Sequence, residues 1–160
     1  LAREKELNME MDMLRRDRQR LLIGDQKKGL LTELEKIENE ALEIKDRVNE
    51  NTLEKGIVDK KLADIAAKEK DIEEEIKVLE KRMSTSGLDD ESKKIEEARK
   101  AAEEKRRKVE EDRWMSEDEL KKIESIRSEL REKYQILLSE IKTIKDKLGG
   151  LNEELDKQNG

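Results

Sequence analysis

Hydrophobic residues recur at alternating intervals of four and three positions through much of the first half of the chain. The spacing starts at Leu30 and keeps its phase as far as Met83. A strict seven-residue period puts one narrow apolar seam along a helix and is typical of helices that supercoil around a partner. In this helix, residues 30–83, the predicted seam residues are Leu30, Leu34, Ile37, Ile44, Val48, Val58, Leu62, Ile65, Ile72, Ile76 and Leu79.

The second half of the chain has the same four-three spacing of hydrophobic residues, and a short polar segment separates it from the first half. Residues 84–90 (Ser-Thr-Ser-Gly-Leu-Asp-Asp) collect turn and cap residues, so we predict a reversal there. The return arm has a thin seam at first, through Leu88, Ile95, Ala98, Ala102 and Val109. The seam is then unbroken, and its residues are Leu130, Tyr134, Leu137, Ile141, Ile144, Leu148, Leu151 and Leu155. Two arms of similar length indicate an antiparallel helical hairpin.

Interruptions divide these arms further. A helical extension, residues 1–23, has a seam two residues out of phase with the one that begins at Leu30, and Gly24 and Gly29 flank the mismatch. We expect a bend or break there, which leaves open a continuous extension or a separate short helix. Gly149 and Gly150 leave the same two alternatives open. Because Leu148, Leu151 and Leu155 keep their register across this pair, we expect a fraying continuation of the helix, residues 149–160.

The return arm contains a helix-start signal near its middle. Ser116 and Glu119 have the spacing of a capping box, and Met115 and Leu120 have that of a hydrophobic staple. We therefore divide this arm into residues 91–114 and residues 116–148. The signal means either a full break or a kink, and we favour a kink.

Charges beside the first seam disfavour a parallel homodimer. With Leu34 at position a of the seven-residue repeat, each g residue would face the following e residue of a parallel partner. Two such pairs have opposite charges and attract, Glu40–Lys45 and Lys68–Glu73. Three have like charges and repel, Glu33–Glu38, Glu54–Asp59 and Glu75–Glu80. Polar residues also interrupt the seam at Asn51, Lys55 and Glu69. They either fix the register of the helices or face solvent where the partner helix diverges.

Composition rules out a compact globular core. Half of the residues are charged, only 32% are hydrophobic, and the chain has one Trp, one Tyr and no Phe, Pro, Cys or His. Disorder is the competing interpretation of so charged a chain, but disordered segments have no reason to keep a fixed apolar spacing. The predicted fold is all-α, a long coiled-coil rod, most simply an antiparallel helical hairpin, alone or within an antiparallel dimer.

The sequence offers no chemistry for catalysis. Without His or Cys, the common nucleophile–base pairs and transition-metal ligand sets are absent, and no cofactor-binding motif is present, so we expect no enzyme activity, metal or cofactor. The basic runs at 15–20 and 105–108 are diluted by acidic residues and lack interleaved aromatics, so we expect no nucleic-acid binding. A solvated helix face is the favoured interpretation of these runs. The alternative is contact with an acidic protein or an anionic membrane surface.

The candidate partner-binding residues are Trp114, Met115, Leu120 and Tyr134. If the turn is centred near residue 86, Trp114 lies opposite Gly56, and we expect the indole to fill the space that the glycine leaves. The alternative is an exposed anchor for a partner protein, since Trp is common at interface hot spots. We expect Tyr134, at an a position, to belong to the core.

The expected function is that of a structural or scaffolding coiled-coil segment of a cytoskeletal, motor or trafficking protein, acting through oligomerisation and protein–protein binding. One alternative is a recognition module for a regulatory protein such as a small GTPase or a kinase, and another is the arm of a chromosome-organising ATPase. The chain begins at Leu1 rather than Met, which favours a piece of a longer protein. No stretch is apolar enough to span a membrane, and the lack of Cys fits a reducing compartment, so we expect an intracellular, cytoplasmic location.

Overall fold

Two long helices make up the fold. The structure, a computed structural model, describes residues 1–85 and 89–159. Helix α1 spans Ala2–Thr85 and helix α2 spans Asp89–Asn159. They pack against each other in opposite directions, which confirms the predicted all-α antiparallel hairpin. Within the described residues, neither helix contains a segment apolar and long enough to cross a bilayer.

The chain divides into two compact units, and each contains part of both helices. The first unit consists of Leu1–Arg47 and Leu130–Gly160, and the second consists of Val48–Glu129. The apolar cluster of the first unit is formed by Leu30, Leu34, Ile37, Leu137, Ile141, Ile144 and Leu148. That of the second unit is formed by Ile72, Ile76, Leu79, Ile95, Ala102 and Val109. Each unit therefore contains its own portion of the packed seam.

Burial along α1 follows the seven-residue repeat position by position. Every fourth and third residue from Leu30 to Met83 is buried or half-buried, and every residue between them is exposed. The same phase extends upstream to Ile23, which is 6% exposed. Because the apolar spacing never slips, one face of α1 stays against α2 over this whole length.

Burial along α2 has the same regularity, but its residue types differ. Apart from Glu110, which is also half-buried, the buried and half-buried positions again alternate by three and four, from Ser92 to Gln158. We predicted Ala98 as a seam residue, but it is exposed, and the neighbouring residue Arg99 lies in the seam instead. The prediction considered only apolar residues and therefore overlooked the aliphatic stem of an arginine, which can also be buried.

The predicted turn over residues 84–90 is too long, because its first two and last two residues are helical. The hydroxyls of Ser84 and Thr85 donate to the carbonyl oxygen of Lys81, at 2.8 and 3.3 Å. Serine and threonine hydroxyls in a helix often donate in this way to a carbonyl oxygen three or four residues earlier. The remaining part of the predicted turn, residues 86–88, lies outside the described residues.

The glycines do not break the helices. We expected a bend or break between residues 1–23 and 30–83, but α1 is continuous there. Over residues 149–160 we expected the helix to continue, and α2 does continue through both glycines as far as Asn159. A Cβ atom added to Gly29 or Gly150 would meet no other atom within 4 Å, so close packing within the chain does not require a glycine at either position. An interior glycine costs a helix only about 1 kcal/mol relative to alanine. The buried seam residues on either side offset that cost.

Helix α2 also continues between the predicted halves, residues 91–114 and 116–148. Ser116 is only 8% exposed because it occupies a seam position, and it lies within the helix. Met115, which a hydrophobic staple would bury, is 71% exposed. The capping-box spacing at this place therefore reflects a small residue in the seam, and no helix starts there.

Candidate functional site

Arginines occupy much of the α2 seam in the second unit. Arg99, Arg106, Arg113 and Arg127 are separated by multiples of seven residues, each is half-buried, and Leu120 completes the series. An arginine stem can cover apolar neighbours while its guanidinium group stays near water. In this unit α2 therefore brings charged groups to the more apolar seam of α1.

The best-formed of these contacts joins Arg113 to Glu69 of α1. Nη1 of Arg113 donates to both carboxylate oxygens of Glu69, at 2.9 and 3.1 Å. Nε of the same arginine lies 3.7 Å from a carboxylate oxygen of Glu117. The side chains of Glu69 and Arg113 are only 22% and 36% exposed. The polar seam residue Glu69 thus faces the other helix, as the register-fixing interpretation requires.

Two other seam arginines have weaker contacts. Arg99 lies 3.5 Å from Glu80 and 3.7 Å from Glu103, and Arg127 donates to the hydroxyl of Thr52 at 2.7 Å. The Nε atoms of both arginines are buried without a hydrogen-bond partner. A separation of 3.7 Å is too long for a hydrogen bond, although it still allows charge attraction. The ion pair of Glu69 is therefore the best-formed contact that a seam arginine makes with α1 in this unit.

Asn51 is the most deeply buried polar side chain among the described residues, at 4% exposure. Its Nδ2 donates to the backbone oxygen of Ile123 at 2.9 Å, and its Oδ1 is buried without a partner. A buried acceptor left unpaired costs about 1–3 kcal/mol. Asn51 therefore lowers stability while joining α1 to one particular carbonyl of α2, which is the property of a register-fixing residue.

Replacing Asn51 with leucine is expected to raise the free energy of unfolding by about 1–2 kcal/mol, because the change removes the unpaired oxygen and adds buried apolar surface. Urea unfolding followed by circular dichroism measures this change. Asn49→Leu is the matched control, since Asn49 is exposed and its replacement should alter stability by less than about 0.5 kcal/mol. A clear loss of stability in Asn51→Leu would show that the single amide hydrogen bond outweighs the unpaired oxygen.

Trp114 does not fill the space at Gly56, contrary to our expectation. It is 58% exposed, and a Cβ atom on Gly56 would meet nothing within 4 Å. The neighbouring residue Arg113 contacts Glu69, which lies about 20 Å along α1 from Gly56 at the helical rise of 1.5 Å per residue. The indole of Trp114 therefore faces solvent.

The other three predicted partner-binding residues divide between the outer surface and the seam. Met115 is exposed beside Trp114 and lines a shallow groove with Ile65 and Ser116. Leu120 is half-buried in the seam of the second unit, and Tyr134 is half-buried in that of the first. Of the four, only Trp114 and Met115 are adjacent on an outer face. We call these two residues the Trp114 surface.

Acidic side chains surround the indole along α2. Glu110, Glu111, Glu117 and Asp118 lie three or four residues from Trp114, which is the spacing of neighbours on a helix surface. Glu111, Glu117 and Asp118 are exposed, and Glu110 is half-buried. We did not predict this arrangement. The sequence nevertheless shows it, because acidic residues lie three and four positions before and after the only tryptophan.

No protein-family model matches the chain, and no curated protein or solved structure is significantly similar to it. Its function must therefore be inferred from the geometry of the two helices. Within residues 1–85 and 89–159, no group of three or more Asp and Glu side chains is arranged to hold a metal ion.

The basic runs do not form continuous basic surfaces. Within residues 105–108, Arg106 is half-buried in the seam, and Arg107 pairs with Glu104 at 2.9 Å. Within residues 15–20, Arg20 lies 3.9 Å from Asp17 and also donates to the backbone oxygen of Gln158 at 3.3 Å. Helical geometry thus distributes the charges of each run over several faces.

Proposed function

We propose that this chain is a structural and scaffolding coiled-coil segment of a larger intracellular protein, of the kind found in cytoskeletal, motor or trafficking proteins. Its role would be to hold two helices in a fixed alignment and to present their outer faces to other proteins. The observation that carries this proposal is the seam, which uses one face of each helix and contains specific polar links at Asn51 and at the Glu69–Arg113 pair.

The division between seam and outer surface supports a binding role. Residues at the seam positions are occupied with helix pairing, so binding would fall to side chains on the outer faces. Trp114 and Met115 are large, apolar, adjacent and exposed, at 58% and 71%. Exposed tryptophans are costly to leave in water and are enriched among the residues that dominate protein–protein binding.

The carboxylates three or four residues from Trp114 favour a basic partner beside the indole, whereas Lys61, Lys68 and Lys122 lie along the groove that Met115 lines. The acidic neighbours of Trp114 would attract lysine or arginine side chains, and the face of an indole ring attracts such cations directly. A protein segment that carries a basic residue beside an apolar one would therefore fit the Trp114 surface. This feature also favours the second candidate function, a recognition module for a regulatory protein such as a small GTPase or a kinase.

Affinity capture with the whole chain tests the proposed function. We expect the wild-type chain to retain cytoskeletal or trafficking proteins, and Trp114→Ala to lose at least one of them by about tenfold or more, as hot-spot truncations do. Ile136→Ala is the matched control, because Ile136 is similarly exposed, at 54%, but lies in the first unit. Raising the salt concentration should weaken the same interaction, because the attraction of the carboxylates is screened.

The outcomes separate the two candidates. Selective loss of a GTPase or kinase in Trp114→Ala would favour the recognition module over the scaffold. Equal retention by wild type, Trp114→Ala and Ile136→Ala would remove the Trp114 surface from the proposal. If the wild-type chain retained no protein, the scaffolding proposal itself would fail.

A further inference from the structure

The first part of α1 carries an apolar stripe with no partner in the chain. Every residue from 1 to 22 is exposed, and Leu14 and Leu21 are 68% and 71% exposed. We define the N-terminal stripe by the large apolar residues that lie on one face of this segment, Leu7, Met11, Leu14, Leu21 and Leu22. At 100° per residue they fall within an arc of about 100° on the helix.

This stripe lies on the side of α1 that faces away from α2. Ile23, which is buried against the hairpin, follows Leu21 by two residues and so lies about 200° around the helix from it. Met9 and Met13, by contrast, continue the phase of Ile23 upstream. A helix packed on the seam face could cover these two methionines, but it could not cover the N-terminal stripe.

We propose that the N-terminal stripe pairs with the same stripe of a second copy of this chain, with the two helices parallel and in register. The inference deepens the proposed scaffolding role, on which it rests for its biological meaning, by naming one partner and one contact surface. The residues Leu7, Met11, Leu14 and Leu21 keep the four-three spacing of a two-helix seam, with Arg18 at the one intervening seam position.

The flanking charges select the parallel orientation. In a parallel pair, Glu10 of each chain precedes Arg15 of the second copy by five residues, which places opposite charges beside the seam on both sides. In an antiparallel pair that sets Met11 opposite Leu14 of the second copy, Glu10 of each copy would face Asp17 of the other. These like-charge contacts disfavour the antiparallel arrangement.

Arg18 is compatible with the parallel pair. Its stem can lie along the apolar stripe while its guanidinium group turns outward. Asp17 of the second copy would stand beside it at the neighbouring g position, so opposite charges again meet.

Sedimentation equilibrium of the whole chain tests the pairing. The mass should rise with concentration from the 18.8 kDa of one chain towards twice that value. Leu7→Asp combined with Leu14→Asp should weaken association by about tenfold or more, because buried apolar contacts would be replaced by charges. Met9→Asp combined with Met13→Asp is the control on the opposite face and should associate like the wild type. Mass that stays at one chain at every concentration overturns the proposal.

Cysteine cross-linking tests the orientation, since the natural chain has no cysteine. Met11→Cys should form a disulfide-linked dimer under mild oxidation, because a parallel in-register pair places the two copies of position 11 side by side. Met13→Cys, on another face, should cross-link at least about tenfold more slowly under the same conditions. Equal cross-linking of the two variants, or association without cross-linking of Met11→Cys, would overturn the parallel register.

A charge-swap experiment at Glu10 and Arg15 tests the electrostatic part of the proposal. Glu10→Arg should weaken association, and adding Arg15→Glu should restore it; failure of that restoration would also count against the parallel pair. The outcome is distinct from that of the capture experiment, because the Trp114 surface lies in the other unit.

Discussion

Replacement of Ile72 and Ile76 together by aspartate is expected to lower the free energy of unfolding by at least about 5 kcal/mol. Both side chains are buried, at 8% and 7% exposure, and they belong to one apolar cluster with Leu79 and Ala102. Truncating one buried isoleucine costs about 2–5 kcal/mol, and placing an unpaired carboxylate in its position adds a desolvation penalty. Thermal and urea unfolding, each followed by helical circular dichroism, would measure the loss.

The matched control lies on the same turns of α1. Glu73 and Glu74 are exposed between the two isoleucines, so replacing both with alanine should change the free energy of unfolding by less than about 1 kcal/mol. Alanine has the highest helix propensity, which further limits any loss. Similar destabilisation by the two double variants would mean that the seam does not hold the helices together.

The α1 half of this seam could be predicted residue by residue because its pattern is carried by large apolar side chains. Leu, Ile and Val at unslipped four-three spacing leave one choice of buried face for a continuous helix. The break expected at Gly24 and Gly29 is absent for a related reason, and α2 likewise continues through Ser116 without a break. Local stop and start signals are worth about 1 kcal/mol each, whereas a long seam joins many contacts into one cooperative element.

The α2 half in the second unit could be found only in part by the same criterion, which gave Ile95, Ala102 and Val109. Its seam positions include Arg99, Arg106, Arg113 and Ser116, and their burial depends on what α1 places opposite them. One signal was nevertheless available, since stepping back by sevens from Tyr134 leads through Arg127 to the other three arginines. The phase of the seven-residue repeat therefore identifies these seam positions, whereas the hydrophobicity of their residues does not.

The position of Trp114 was missed for two reasons. Trp114 and Gly56 both lie outside the seam positions of their helices, and the facing pairs are offset by several residues. A turn centred near residue 86 predicts that facing residue numbers add up to 172, whereas the observed pairs give 174 for Asn51 and Ile123, 179 for Glu80 and Arg99, and 182 for Glu69 and Arg113. Helical side chains lean towards the N-terminus of their own helix, so contacts between antiparallel helices join residues with larger sums than the backbone midpoint suggests. Long side chains increase this difference.

Removal of either member of the Glu69–Arg113 pair is expected to lower the free energy of unfolding by about 2–3 kcal/mol. Each change leaves the opposite charge partly buried without its main partner, which costs more than the intact pair contributes. The double variant Glu69→Ala with Arg113→Ala should therefore lose less than the sum of the single losses. A double-mutant cycle measured by urea unfolding should give a coupling energy of about 1–2 kcal/mol.

The pair formed by Glu104 and Arg107 provides the matched control for this cycle. Its charged atoms are also 2.9 Å apart, but its side chains are 50% and 68% exposed and both lie on α2. Water screens such a pair, so its coupling energy should stay below about 0.5 kcal/mol. Equal coupling in the two cycles would mean that burial between the helices adds nothing to the Glu69 contact. A larger value for Glu69 and Arg113 would instead show that the alignment of α1 and α2 depends on a specific charged contact in addition to apolar burial.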